Sequence, residues 1–184
     1  MRKKVDGVLS IEAAISLTML IFVVMFVLDI GYIYRAQNMV YHAMLQTAKT
    51  ASLYDYEING VGETATEQVI NQFMSLIGIG TNSVEEQLKQ AVKNENVPQM
   101  AQIIFKGSVA EKQDEAKYVL NEYNVKKINF ENSKFVEEWI DNTKDKDIVI
   151  VAEYEVALVV PVFGLESIHI KQSTRSRLWG YGHY

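Results

Sequence analysis

One carboxylate lies where an acidic side chain is energetically costly. Glu12 falls near the start of a twenty-residue run from Leu9 to Leu28 that is otherwise almost entirely apolar. Inside a bilayer, an unpaired charge on a helix costs about 2–4 kcal/mol on insertion scales. Glu12 therefore needs a positively charged partner, or it reaches the headgroup region beside Lys3 and Lys4, or it is uncharged.

The residues that most often carry enzyme chemistry show no catalytic pattern. His42, His169 and His183 are the only histidines, and none has a partner at metal-ligand spacing. The acidic pairs Glu85-Glu86 and Glu137-Glu138 are typical of solvated faces, not of an acid/base pair separated by burial. We therefore expect no enzyme activity, no catalytic or metal-binding residues and no cofactor.

Charge and composition narrow the function classes further. The chain has 184 residues, a net charge of −5 and no cysteine. The first seven residues carry +2, so the remainder is more acidic than the whole and would repel nucleic acid. Without cysteine, stability cannot come from disulfides. The apolar content suffices for one modest core and one membrane helix.

The apolar run predicts a single membrane crossing. Twenty helical residues span about 30 Å, the thickness of a hydrocarbon core. Arg2, Lys3 and Lys4 precede the run and Asp29 follows it, which places the N-terminus in the cytoplasm and the rest of the chain outside the membrane. A cleaved secretory signal is the alternative, but its apolar core would be shorter and would end in a small-x-small site, which is missing here.

The N-terminal segment resembles the class III signal of type IV pilin-like proteins. The resemblance rests on Lys3-Lys4-Val5-Asp6-Gly7, on Val8-Leu9-Ser10-Ile11-Glu12 and on the apolar run that follows. It implies that a prepilin-type peptidase cuts between Gly7 and Val8 and that the helix stays on the mature protein. Glu12, then the fifth residue, would pair with the free N-terminal amine of a neighbouring subunit during assembly.

Both ends of the chain resemble the TadE/TadG-like pseudopilins. Ser10-Ile11-Glu12-Ala13-Ala14 carries the resemblance at the start, and Gln172 to Tyr181, with its two arginines and Trp-Gly ending, carries it at the finish. The chain is longer than the usual major pilins of such systems, which implies a minor or accessory subunit. Between about Asp55 and Lys146 the sequence resembles nothing familiar.

The anchor continues into a long helix. Apolar and small residues recur at three- and four-residue spacing up to Ala51, with no Gly or Pro between Tyr32 and Glu57, so we predict one helix from near Leu9 to near Tyr54. The stripe beyond the bilayer is expected to pack mainly on the chain's own domain. The chain then divides into a basic leader (1–7), a transmembrane and stalk helix (8–54) and an exported domain (55–184).

The exported domain is predicted to be α+β. A helix opened by Thr64 or Thr66 and running towards Ile77 comes first, and further helical stretches follow it, at Ser83–Lys93, Met100–Phe105 and Glu111–Glu122. Period-two alternation then predicts strands at Lys127–Phe130, Phe135–Ile140, Asp147–Val160 and Ser167–Trp179. The last two should pair antiparallel around a turn at Pro161–Glu166. Helices would therefore pack on a C-terminal antiparallel sheet.

Two functions fit these features. The first is a pilin-like subunit, either pseudopilin or minor pilin, of a Tad-type pilus or secretion apparatus. It would be processed after Gly7 and assembled with other pilin-like subunits through its N-terminal helix. The alternative is a permanently anchored extracytoplasmic sensor or adhesin, which needs no cleavage and tolerates changes at Glu12.

Overall fold

The computed structural model describes residues 2–60, 82–110, 115–140, 143–162 and 164–178. Within these ranges, four helices come first and four strands follow. The helices are α1 (Arg2–Gly60), α2 (Asn82–Lys93), α3 (Val97–Val109) and α4 (Ala116–Glu122). The strands are β1 (Val125–Asn129), β2 (Lys134–Ile140), β3 (Thr143–Val162) and β4 (Leu165–Arg177). The α+β architecture predicted from the sequence is confirmed.

Helix α1 dominates the molecule with 59 residues, about 90 Å at 1.5 Å per residue. It contains the predicted span from Leu9 to Tyr54 and continues beyond both of its ends. At the C-terminal end the described helix reaches Gly60. The helix predicted from Thr64 or Thr66 to Ile77 lies outside the described residues.

The long strand β3 organises the sheet. It pairs antiparallel with β4 along one edge, from Asp147↔Arg177 to Val162↔Leu165. Its other edge pairs with β2 near its start and with β1 further along. The predicted hairpin of the last two strands is confirmed. Gly164, just before β4, has a φ of +78°, a conformation that suits glycine.

The C-terminal half of α1 forms the centre of the core. It packs on β3, on β4 and on α3. Its buried stripe repeats at three- and four-residue spacing and comprises Ala36, Val40, Ala43, Met44, Thr47, Ala48 and Ala51. The prediction that this stripe packs on the chain's own domain is confirmed. From β3, the alternate residues Ile150, Ala152, Tyr154 and Val156 face the same core.

Helix α3 is longer than the sequence pattern indicates. Prediction covered only Met100–Phe105, whereas the helix spans Val97–Val109. The Asn96 side chain accepts a hydrogen bond from the Gln99 N–H, and Pro98 occupies the first turn, so both sequence signals of a helix start are present.

Candidate functional site

The N-terminal half of α1 has no protein to pack against among the described residues. Every residue from Ile11 to Leu28 is exposed, and the large apolar side chains retain 37–69% of their accessible surface. A helix that is apolar on all sides needs an apolar environment from lipid or from other chains. By length and mean hydropathy (2.5), α1 can cross a membrane once, and no other helix in the described ranges can.

The three residues singled out from the sequence lie together at the start of this helix. Gly7 and Val8 have helical backbone within α1. Glu12 lies one turn after Val8 and is exposed. In the part of the chain whose side chains are described, no hydrogen bond or ion pair involves the Glu12 carboxylate. A charged Glu12 in an apolar environment therefore needs a partner from elsewhere.

Asp29, at the end of the apolar run, is a second important carboxylate that the sequence does not single out. It is only 3% exposed. Its Oδ1 accepts hydrogen bonds from the backbone N–H groups of Val159 (2.9 Å) and Val160 (3.3 Å) near the end of β3. The β3–β4 pairing is irregular between Ala157 and Val162, so the side chain of Asp29 supplies an acceptor where the ladder is interrupted. This contact fixes the hairpin to α1.

The paired arginines of the C-terminal motif lie beside one carboxylate. Asp147, at the start of the β3–β4 pairing, is largely buried and forms an ion pair with the Nε of Arg175. The Nε of Arg177 lies 3.8 Å from the other carboxylate oxygen. Nearby, the hydroxyls of Ser176 and Ser52 are 3.5 Å apart, so β4 contacts α1 at this level. Through Asp147, the two arginines therefore link β4 to β3 at the end of the hairpin that lies away from its turn.

The exposed face of the sheet carries ion pairs that shift two carboxyl pKa values. The Lys127 ammonium donates a hydrogen bond to Glu155 at 2.8 Å and lowers the pKa of that carboxyl. Lys171, 2.7 Å from Glu153, lowers the pKa of Glu153 in the same way. On the core side, burial raises the pKa of Tyr154, whose hydroxyl lies 3.0 Å from Gln172. These contacts join neighbouring strands of the sheet.

The two histidines that the structure describes, His42 and His169, lie on different elements. His42 lines a shallow groove between α1 and the ends of α3 and α4, where the Arg35 guanidinium lies 4.9 Å from the centre of the Tyr123 ring. His169 is exposed on β4, 3.5 Å from Glu155. His183 lies outside the described residues. In the ranges that the structure describes, no group of three or more metal-ligating side chains comes together.

No family model, curated protein or solved structure matches this chain.

Proposed function

We propose that this chain is a single-pass membrane protein that acts as a pilin-like subunit of a Tad-type pilus or secretion apparatus. The observation that carries the proposal is the division of α1 into two halves. One half packs on the chain's own sheet and helices, and the other exposes apolar side chains all round and carries Glu12. Such a helix suits a subunit that is stored in the bilayer and later packs against neighbouring helices.

The proposed assembly step depends on a charge pair between subunits. Removal of Met1 to Gly7 would leave a positively charged amine on Val8. In one helix this amine and Glu12 are four residues apart, about 6 Å along the axis. A neighbouring helix displaced by about one turn would bring its amine to the Glu12 carboxylate. The pair would remove the cost of an isolated charge and set the axial offset between neighbours.

Intact mass and N-terminal sequencing of protein extracted from native membranes test the processing step. The mature chain should start at Val8 and lack the first seven residues. Gly7→Ala is the matched control, because it changes one methyl group at the proposed cleavage site and should leave the full-length chain in the same membrane. Native protein that still starts at Met1 would overturn the proposal.

The groove at Arg35 and His42 favours a second function, an anchored module that binds a ligand through its domain. Its lining combines one cation, one imidazole and the polar Asn38 and Gln46. On this alternative the anchor is permanent and the chain stays uncut. Replacement of Glu12 by Gln would leave all its interactions unchanged, whereas the pilin-like subunit would lose contact with its neighbours.

A further inference from the structure

The tip of the β3–β4 hairpin lies level with the end of the apolar run. Asp29 directly follows Leu28, and its carboxylate holds the N–H groups of Val159 and Val160 at 2.9 and 3.3 Å. The last residues of β3 are therefore fixed beside the point where the candidate membrane span ends.

Strand β3 runs towards Asp29 from the opposite end of the domain. Ser176, which pairs with Ile148, lies with its hydroxyl 3.5 Å from that of Ser52. From Ile148 to Val159 an extended strand covers about 36 Å. From Ser52 back to Asp29 a helix covers about 35 Å. The two lengths agree, so β3 runs alongside α1 in the opposite direction, and the residues after Val160 continue past Asp29 beside the apolar run.

The chemistry of this tip differs from that of the rest of the hairpin. From Val159 to Leu165 the sequence is Val-Val-Pro-Val-Phe-Gly-Leu, without a charged residue. Val159 and Leu165 are 51% and 59% exposed, and Pro161 is exposed as well. Beyond the tip, the exposed positions of β4 begin with Glu166 and include Ile168, Lys171 and Arg175. An exposed apolar cluster at one end of a charged hairpin marks a contact with an apolar partner.

We propose that the hairpin tip, formed by residues 159–162 and 164–165, inserts into the boundary between headgroups and acyl chains of the bilayer that α1 spans. The inference rests on the membrane anchoring proposed above. Two strand residues beyond Val160 extend the tip by about 7 Å past Asp29, a depth typical of interfacial segments. Tyr32 and Tyr34, just after Asp29, are also exposed and have the amphipathic rings that suit this boundary. The domain would then be held to the membrane at two points.

Depth-dependent quenching tests the inference, and the absence of cysteine makes single labels straightforward. Val159→Cys and Leu165→Cys variants of the full chain carry an environment-sensitive fluorophore in phosphatidylcholine–phosphatidylglycerol vesicles containing nitroxide lipids. Met19→Cys reports on the anchor. Lys134→Cys, an exposed site that pairs with Val149 at the far end of β3, reports on the distant part of the sheet.

The expected result is that shallow nitroxides remove most of the fluorescence at positions 159 and 165, deep nitroxides quench position 19, and position 134 is unaffected. Val159→Asp should abolish the quenching at position 165, because a charge opposes insertion.

Quenching at 19 without quenching at 159 and 165 would overturn the inference and leave the anchor intact. Loss of quenching at 19 would overturn both. The labels at 159 and 165 could also be shielded from both lipid nitroxides and aqueous iodide. This result would show that the tip contacts protein, and it would overturn the inference as well.

Discussion

At the residue scale, Asp147 links the two long strands through charge. Its largely buried carboxylate accepts a hydrogen bond from Arg175, and the Nε of Arg177 lies 3.8 Å from its other oxygen. Asp147→Ala should lower the free energy of unfolding by about 1.5–3 kcal/mol, the range for hydrogen bonds to charged groups. Urea unfolding of the full chain in detergent measures this change. Glu131→Ala, which removes an exposed carboxylate on the same domain, should shift the midpoint far less, and equal shifts would contradict this role.

Substitution of Asp29 tests the attachment of the hairpin to α1, because the partners of its carboxylate are two backbone N–H groups of β3. Asp29→Ala leaves both donors without their acceptor and should destabilise the hairpin end by about 1–3 kcal/mol. Asp29→Asn retains a carbonyl oxygen and should keep most of the stability. Hydrogen exchange at the amides of Val159 and Val160 is the measurement: exchange should accelerate in the Ala variant only. Similar exchange in both variants would show that the carboxylate does not hold the strand.

The ion pair at Glu155 predicts a direction of pH dependence. Lys127 lowers the carboxyl pKa in the folded protein below its ordinary value of 4.5. A depressed folded-state pKa contributes stability above the ordinary value, and that contribution disappears as the pH falls through the folded-state pKa. Lys127→Met should raise the Glu155 pKa towards 4.5 and weaken the acid dependence of unfolding. Carboxyl NMR titration measures the shift, and an unchanged pKa in Lys127→Met would exclude Lys127 as its cause.

At the scale of elements, the two halves of α1 should respond differently to the same substitution. Met44 is fully buried in the core, whereas Met19 is 69% exposed in the apolar half. Met44→Ala should reduce the free energy of unfolding of the domain by about 2–5 kcal/mol, because it removes apolar contacts and leaves a cavity. Met19→Ala should leave it unchanged within about 0.5 kcal/mol. Thermal unfolding of both variants in the same detergent compares them, and equal losses would contradict the division of the helix.

The sequence predicts those elements whose pattern is local. The three- and four-residue spacing from Ala36 to Ala51 indicates both the helix and its buried face, and the alternation from Ile150 to Val156 indicates β3. Helix α3 is predicted too short, because the polar residues around its start obscure the periodicity there. Its N-cap Asn96 and Pro98 are local signals that could have extended the prediction.

Of the candidate sites, Glu12 can be singled out from the sequence alone, since the apolar run that makes its charge costly surrounds it in the sequence. The contact of Asp29 cannot be predicted from the sequence, because its partners are backbone groups 130 and 131 residues further along the chain. The same limit applies to the two arginines: their spacing is visible in the sequence, but their position beside Asp147 depends on the strand register. Long-range pairing of this kind follows from the tertiary fold and leaves no local periodicity.

At the scale of the whole molecule, α1 joins the apolar segment to the core without interruption. The same helix exposes Met19 and buries Met44. A displacement of the apolar half would therefore be transmitted directly to the helix that packs on β3 and β4. In the proposed subunit, the axial position set at Glu12 would fix the position of the domain along an assembly.

In the proposed subunit, this coupling would make the Glu12 carboxylate the decisive group for association. Single-cysteine Leu17→Cys chains can form disulfide cross-links between neighbouring apolar helices in native membranes, because the natural chain has no cysteine. In this background Glu12→Gln should reduce cross-linked product at least about tenfold, since truncating one partner of a desolvated charge pair costs about 2–5 kcal/mol. Glu166→Gln, an exposed change in β4, is the control and should cross-link normally. Removal of the first seven residues should be unaffected in both variants, so a Glu12→Gln chain that is cut at Gly7 and still cross-links fully would show that no intersubunit charge pair forms.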